Sequence, residues 1–247
     1  MTEPYKPTPE EVASLKVKPG QFKVSGDQVF FTFQGEGQSI GKPAVFLRLH
    51  LCNLHCGWCD TKYTWDKKSP EFWQEGEDWT LEQAVQNVSQ FPTKRLVVTG
   101  GEPMLQQAAI AKLIDQIPDW EIEVETNGTI APMSSLAERC QFNVSPKLEN
   151  SGNPLALRYK PGVLRRFNAL PKTTFKFVVQ QAGDLSEVDH IIADSNLDPT
   201  KVIIMPEGTT QDEIQGHAVL VADEVKQRGW RLLPRLQTML WGTKRKV

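Results

Sequence analysis

Short apolar runs that predict buried strands alternate with helical patterns along most of this chain, and this alternation limits the fold more than any other feature. The runs include AVFLRLHL (44–51), RLVV (95–98), EIEVE (121–125) and KVII (201–204). Between two of them, TLEQAVQNVSQF (80–91) has apolar residues at helical spacing, with Thr80 as N-cap and Gln83 three residues later. Strands that alternate with helices predict an α/β fold with a parallel sheet and right-handed crossovers.

At 247 residues the chain is most simply one domain (1–247), because α/β barrels of this length often fold undivided. We expect residues 1–20, which carry four prolines, to form a loose arm. We expect residues 66–79, which are polar with interspersed aromatics, to be an insertion or lid. The unusual loop residues follow predicted strands, and the carboxyl ends of parallel strands meet at one rim of a sheet, so we expect the site at that rim.

Charge and hydropathy narrow the class of partner. The net charge of -2 does not call for nucleic acid or an anionic membrane as a partner. No run of about 20 apolar residues predicts a membrane span, and the polar first 20 residues lack the apolar core of a secretory signal. These features predict a cytoplasmic protein.

Three of the four cysteines, Cys52, Cys56 and Cys59, lie within the eight residues CNLHCGWC, whereas Cys140 is far downstream. Such bunching does not resemble a disulfide framework and indicates metal or redox chemistry, with Cys140 as a buried structural thiol. A structural zinc site needs four ligands, usually in two pairs, so a non-catalytic zinc-binding module stays an alternative. An iron–sulfur cluster on three thiolates would leave one iron open to a substrate or cofactor.

The C-x3-C-x2-C spacing, with Trp58 before the last cysteine, resembles the radical S-adenosylmethionine (SAM) superfamily, and TGGEP (99–103) resembles its GGE motif. The resemblance implies a modified partial (β/α) barrel and a [4Fe–4S] cluster whose open iron binds the amino and carboxylate groups of SAM. One electron from the cluster then cleaves SAM to methionine and a 5′-deoxyadenosyl radical. A glycyl-radical-activating enzyme shares the cysteine spacing and is an alternative, although QGEG (34–37) and CDT (59–61) argue against it.

The segment FQGEGQSIGKPAVFLRLHLCNLHCGWCDTKY (33–63), together with SPK (145–147) and RLQTMLWG (235–242), resembles the 7-carboxy-7-deazaguanine synthase family. The likeness runs from about residue 30 to residue 242. It implies a lyase that converts 6-carboxy-5,6,7,8-tetrahydropterin to 7-carboxy-7-deazaguanine and ammonia, in queuosine and 7-deazapurine biosynthesis. The radical removes a hydrogen atom from C6, and Mg²⁺ assists the ring contraction. A homodimer and a flavodoxin or ferredoxin electron donor are also implied.

The same resemblance implies roles for individual residues, with the radical carried by SAM and not by a protein side chain. Cys52, Cys56 and Cys59 would hold the cluster, and Thr61 would bind Mg²⁺ with Asp60 in support. The implied substrate contacts are Phe33, Gln34, Gly35, Glu36, Arg48 and Thr99. The implied SAM contacts are Gly101, Glu102, Thr126, Asn127, Ser145, Pro146, Lys147, Met205, Pro206 and Glu207. An ordinary turn after a strand is the alternative for Asp60–Thr61 and for Thr126–Asn127.

Overall fold

A nine-stranded sheet organises the chain in the computed structural model, which describes residues 5–246. The strands are β1 (Phe22–Phe33), β2 (Pro43–Leu49), β3 (Gly76–Trp79), β4 (Arg95–Gly100), β5 (Glu121–Thr126), β6 (Cys140–Val144), β7 (Thr173–Val179), β8 (Val202–Pro206) and β9 (Arg231–Leu232). The α-helices are α1 (Pro9–Ser14), α2 (Pro70–Gln74), α3 (Leu81–Ser89), α4 (Gln107–Gln116), α5 (Ser134–Arg139), α6 (Leu155–Arg158), α7 (Pro161–Asn168), α8 (Ala182–Ser195), α9 (Gln211–Gln227) and α10 (Leu236–Trp241). None of these described helices combines the length and the apolar character that a membrane span needs.

The strand order is β3-β1-β2-β4-β5-β6-β7-β8-β9. Strand β1 is antiparallel to both of its neighbours, whereas every pair from β2 to β9 is parallel. The described sheet ends at β3 on one side and at β9 on the other, so it is open. It curls toward a barrel, because Glu36, just after β1, forms an ion pair with Lys176 of β7. The prediction of a partial (β/α) barrel with a parallel sheet is confirmed.

The two faces of the parallel strands differ in chemistry because successive side chains point to opposite sides. The outward side chains join the helices in one apolar core, which includes Leu47, Leu96, Val98, Val124, Phe142, Phe175 and Ile204 from strands and Val88, Ile110, Leu113, Leu185 and Val221 from helices. Each of these side chains contributes about 1.5–3 kcal/mol by leaving water. The inward face instead carries buried polar groups, among them Glu123, Asn143 and Lys176.

Thr8 and Pro9 begin a short helix, α1, inside the segment predicted as a loose arm. The Thr8 hydroxyl accepts from the Glu11 N–H, and the Glu11 carboxylate accepts from the Thr8 N–H. Pro9 stands at the first helical position, where its missing N–H removes no helical hydrogen bond. Residues 1–4 of the predicted arm lie outside the described residues.

Residues 66–79, predicted as an insertion or lid, contain α2 and β3. Strand β3 pairs with β1 and places Trp79 opposite Phe22, so it forms an edge of the sheet. Phe72 of α2 is 1% exposed and packs its ring against that of His50, with ring centres 4.4 Å apart. The polar residues of β3, in the sequence GEDW, gave no apolar pattern from which a strand could be predicted.

Candidate active site

A cavity of about 500 Å³ lies at the carboxyl ends of the parallel strands, a volume typical of small-molecule sites. Residues at or just beyond the ends of β2, β4, β5, β6, β7 and β8 line it, and so does the segment after β9. The predicted site residues that line it are Phe33, Gln34, Gly35, Glu36, Arg48, Cys52, Cys56, Cys59, Thr61, Thr99, Gly101, Thr126, Asn127, Ser145, Lys147, Met205 and Glu207. Glu102, Pro146 and Pro206 do not line it. The strand-end loops therefore converge on one rim, as predicted.

The cysteine loop (Cys52–Cys59) follows β2 and brings three thiols to the cavity. The Leu54 N–H donates to Cys52 Sγ at 3.5 Å. Burial raises the pKa of Cys52 to about 12, and it also raises the pKa of Cys56. Thiols in such surroundings become thiolates when a metal supplies a compensating positive charge.

The donor set at this loop fits a [4Fe–4S] cluster with three protein ligands. Cys140 belongs to the apolar core and begins β6, roughly 15 Å along the strand from the rim, so it lies too far away to be a fourth ligand. Among residues 5–246, no group of three or more His, Cys, Asp or Glu side chains is close enough to hold one metal ion. A cubane cluster does not need such a group, because each thiolate binds a different iron atom.

Gly100 and Gly101 bring the end of β4 against the entrance of the cysteine loop. The Gly101 N–H donates to the Leu49 carbonyl at 3.0 Å, which continues the parallel pairing beyond β2. Gly100 has a φ of +130°, and a Cβ on Gly101 would clash with the Leu51 carbonyl oxygen. Because no side chain fits at either position, only a glycine pair lets the two backbones meet beside the cysteines.

Glu102 is fully buried behind the wall of the cavity. Its carboxylate accepts hydrogen bonds from the Met104 N–H at 2.9 Å, the Thr126 hydroxyl at 2.7 Å and the Asn127 N–H at 2.7 Å. Burial raises the pKa of Glu102, and the three donors oppose that effect only in part. The side chain joins the turn after β4 to the end of β5, whereas the sequence predicted that it faces SAM.

Two predicted SAM-binding positions lie against the cysteine loop. Asn127 Nδ2 donates at 2.8 Å to Oδ1 of Asn53, the residue directly after Cys52. Beyond β6, Lys147 Nζ donates to Ser145 Oγ at 2.9 Å and lies 5.3 Å from the centre of the Trp58 ring. The ends of β5 and β6 are therefore fixed beside the loop that carries the thiols.

Gln34 is only 1% exposed, and its amide is bonded within the protein. Its Nε2 donates to Glu123 Oε1 at 2.6 Å and to Glu125 Oε1 at 3.0 Å. Thr99 Oγ1 donates to the other Glu125 oxygen at 2.7 Å. Gln34 thus orients Glu125, a cavity residue that was not predicted although the alternation in EIEVET (121–126) places its acidic residues on one face.

Both oxygens of the Glu36 carboxylate are engaged by cationic or amide donors. Oε1 accepts from Arg235 Nε at 3.1 Å and from Gln237 Nε2 at 2.7 Å, and Oε2 forms an ion pair with Lys176. Burial alone would raise the pKa of Glu36, but Lys176 and Arg235 hold it well below its ordinary value. The sequence predicted that Glu36 contacts the substrate directly. It did not predict its partners Lys176, Arg235 and Gln237.

Arg235 also reaches two other loops at the rim. It forms an ion pair with Asp60 and donates to the Gly208 carbonyl at 2.9 Å. Burial would raise the pKa of Asp60, but the guanidinium lowers it below the usual range. The side chain predicted to support Thr61 is therefore held by Arg235, while Thr61 Oγ1 lies 3.5 Å from Cys59 Sγ.

Arg48, one residue before the end of β2, lies on the inward face and lines the cavity, with its guanidinium carbon 5.4 Å from the centre of the Phe30 ring. The ring lies against one face of the guanidinium plane, and a guanidinium binds anions through the N–H groups at its edge.

The carboxyl-terminal segment, residues 235–246, borders the cavity on the side of the glycine loop, which is the segment QGEGQSIGK (34–42) after β1. The Leu236 N–H donates to the Gly35 carbonyl at 3.0 Å, and the Trp241 ring stacks on Phe33 with centres 6.4 Å apart. Residues 242–246 line the cavity directly. This segment therefore forms one wall of the site.

Comparisons with known proteins agree with this geometry. The family described as a 4Fe-4S single cluster domain matches residues 33–152. The 7-carboxy-7-deazaguanine synthase of Pyrobaculum aerophilum is 34% identical over 224 residues, which cover 88% of this chain and 95% of the relative. The enzyme of the same name from Halobacterium salinarum is 31% identical, with 87% and 89% covered.

A solved structure has the same fold. The crystal structure of QueE from Escherichia coli superposes with a TM-score of 0.65 at 25% identity, covering 87% of this chain and 94% of that one. Both relatives are named 7-carboxy-7-deazaguanine synthase, so the zinc-binding module and the glycyl-radical-activating enzyme are no longer supported as alternatives. The cofactors are a [4Fe–4S] cluster and SAM. The chain belongs to the 7-carboxy-7-deazaguanine synthase family.

Proposed function

We propose that this cavity binds SAM and 6-carboxy-5,6,7,8-tetrahydropterin together and yields 7-carboxy-7-deazaguanine and ammonia. The observation that carries the proposal is the single cavity that contains three cysteines, the Gly100–Gly101 pair and a set of inward charged side chains. A volume of about 500 Å³ accommodates a flat bicyclic substrate beside a nucleoside cofactor.

Cys52, Cys56 and Cys59 are the proposed cluster ligands. When bound, the cluster and SAM supply the 5′-deoxyadenosyl radical that takes the hydrogen atom from C6 of the pterin. Around them the protein contributes orientation and exclusion of water. The proposed SAM contacts that line the cavity are Gly101, Thr126, Asn127, Ser145, Lys147, Met205 and Glu207. Glu102 supports this wall from behind by fixing Thr126 and Asn127.

Arg48 is the proposed partner of the substrate carboxylate, because a guanidinium edge binds a carboxylate with two parallel hydrogen bonds. Glu125, oriented by Gln34 and Thr99, is the proposed acceptor for the N–H groups at the guanidine-like edge of the pterin. These contacts fix both ends of the ring and so determine which carbon atom faces SAM.

Thr61 is the proposed protein ligand of Mg²⁺, which would also contact the substrate carboxylate. Magnesium often takes one or two protein oxygens and completes its shell with water and substrate oxygens. The Thr61 hydroxyl lines the cavity beside Cys59, which suits this arrangement. Thr61→Val should abolish the dependence of the rate on Mg²⁺ while the iron content stays the same. Retained Mg²⁺ dependence would remove Thr61 from the proposal.

The decisive experiment is anaerobic incubation of the reconstituted protein with 6-carboxytetrahydropterin, SAM and a reductant. Mass spectrometry should detect 7-carboxy-7-deazaguanine, and Cys56→Ala should lack both the cluster and the product. Arg48→Met should retain the cluster and reductive SAM cleavage but lose at least tenfold in kcat/KM for the pterin, since a charge-assisted pair is worth about 1.5–3 kcal/mol. A cluster-bearing wild type that makes no product would refute the assignment of substrate.

The proposal includes a homodimer, a flavodoxin or ferredoxin electron donor and a cytoplasmic location. Met239 and Leu240 of α10 are half exposed, which leaves apolar surface beside the site. Light scattering on the eluted protein tests the dimer: a mass of twice 27.8 kDa is expected, and a mass of one chain would contradict it.

A further inference from the structure

Residues 150–153, which follow β6, contact four consecutive residues of the cysteine loop. The hydrogen bonds run from Trp58 Nε1 to Asn150 Oδ1 (3.3 Å), from the Gly57 N–H to the Ser151 carbonyl (3.0 Å), from the His55 N–H to Asn153 Oδ1 (2.8 Å) and from Asn153 Nδ2 to Cys56 Sγ (3.3 Å). A connecting loop takes its shape largely from the scaffold that it contacts. Segment 150–153 therefore acts as the surface on which the cysteine loop takes its shape.

Asn153 is firmly held in this segment and is only 9% exposed. Its N–H and its Nδ2 both donate to Ser151 Oγ, at 3.3 Å and 3.2 Å. Its carbonyl accepts from Arg158 Nε at 3.1 Å, and Arg158 forms a partly buried ion pair with Glu187 of α8 at 2.6 Å. The side chain is therefore anchored to the body of the fold and is not free to turn.

The neighbours of Asn153 also determine which end of its amide faces the sulfur. The His55 backbone N–H can only donate, so the atom beside it must be the amide oxygen. The amide nitrogen then faces Cys56 Sγ, and its N–H points to the sulfur at 3.3 Å. An exchanged orientation would place two donors against each other and an oxygen against a thiolate, so the protein itself selects the donating orientation.

We propose that Asn153 is a positioning residue for the cluster: it holds Cys56 in place and donates a hydrogen bond to its sulfur, which raises the reduction potential of the bound cluster. The inference rests on the proposed role of Cys56 as a cluster ligand. A hydrogen bond to a cluster sulfur favours the reduced state, because reduction adds negative charge that the N–H stabilises. Electron delivery to SAM would then depend on a side chain 97 positions away from the cysteine.

The test measures the midpoint potential of the reconstituted, SAM-free protein by anaerobic spectroscopic titration. Asn153→Leu removes the donor, and Asn153→Asp removes it but keeps an oxygen for the His55 N–H. At a fixed potential the ratio of oxidised to reduced cluster should rise about tenfold in both variants, which is about 59 mV for one electron. Asn150→Ala is the matched control, since it disturbs the same segment without a sulfur contact and should leave the potential unchanged.

An unchanged potential in Asn153→Leu, with native iron content, overturns the inference. A shift of equal size in Asn150→Ala overturns it as well, because a general loosening of the segment would then explain the change. If the Asn153 variants do not hold a cluster, the hydrogen bond is tested by pulsed EPR of the reduced wild type that carries side-chain ¹⁵N-labelled asparagine. A coupling to ¹⁵N through the sulfur supports the hydrogen bond, and its absence contradicts it.

Failure of the proposed function looks different from failure of this inference. About four irons per chain in the wild type and their loss in Cys56→Ala support the proposed ligands. A wild type that binds no iron would refute the ligands themselves. A cluster-bearing wild type whose potential does not depend on Asn153 would refute only the role given to Asn153.

Discussion

Replacing Glu102 with glutamine should destabilise the protein even in the absence of SAM. The two carboxylate oxygens of Glu102 accept three hydrogen bonds, from Met104, Thr126 and Asn127. Glutamine keeps one acceptor oxygen and turns the other into a donor. The amide nitrogen would then face a donor: either the Asn127 N–H, or the Met104 N–H and the Thr126 hydroxyl.

The expected loss follows from these contacts. The Asn127 N–H would be buried without an acceptor, which costs about 1–3 kcal/mol. The bonds from Met104 and Thr126 would become neutral ones, each weaker by about 1 kcal/mol. Part of this loss of stability is offset, because the substitution removes a charge that is fully buried and whose ionisation burial opposes. We therefore expect the free energy of unfolding to fall by about 2–3 kcal/mol.

Urea unfolding of the apo protein followed by circular dichroism measures this change. Glu138→Gln is the matched control, since Glu138 is exposed on α5 and its replacement should not change the unfolding midpoint. Unchanged stability in Glu102→Gln, combined with a loss of SAM affinity, would show that the reasoning is wrong and that Glu102 contacts SAM directly.

Three further outcomes are expected. Lys176→Met should lower the free energy of unfolding by about 2–3 kcal/mol in urea titrations, because Glu36 loses one buried cation but keeps Arg235; exposed Lys226→Met should change little. The folded-state pKa of Glu36 lies below its unfolded value, so its stabilisation is present above about pH 4.5 and is lost as the pH falls; Glu36→Gln should remove that part of the acid dependence of the thermal midpoint. Cys140→Ala should retain the full iron content by colorimetric assay, and a loss of one iron or of the cluster would contradict its placement in the core.

Local sequence signals predicted the parts of the structure that depend on local chemistry. Apolar runs such as 95–98 predicted buried strands, because a strand between two layers must be apolar on its outward face. The cysteine spacing and the glycine pair of TGGEP also lie within short segments, so both could be identified from a few neighbouring residues in the sequence. For the same reason Thr80 and Gln83 form the predicted capping box at the start of α3.

The polar interior of the barrel has a signal in the sequence but was not predicted. The strands EIEVET (121–126) and TTFKFVV (173–179) alternate apolar and polar side chains, which indicates two faces of different character. An acidic or basic residue in the middle of a strand buried on both sides needs a partner within the protein or a ligand. By this criterion the alternation alone makes Glu125 and Lys176 candidates for the site.

The contacts of Arg235 and Asn153 have no such local signal. Arg235 is 199 positions from Glu36, and β1 and β9 lie near opposite edges of the sheet, so only the curling of the sheet brings the segment after β9 to the loop after β1. The Arg235 guanidinium binds Glu36, Asp60 and the Gly208 carbonyl. It therefore couples three segments: the glycine loop, the residue before Thr61 and the loop after β8. A change at Arg235 should therefore alter both pterin binding and the response to Mg²⁺, whereas a side chain in contact with one ligand alone would alter only one of them.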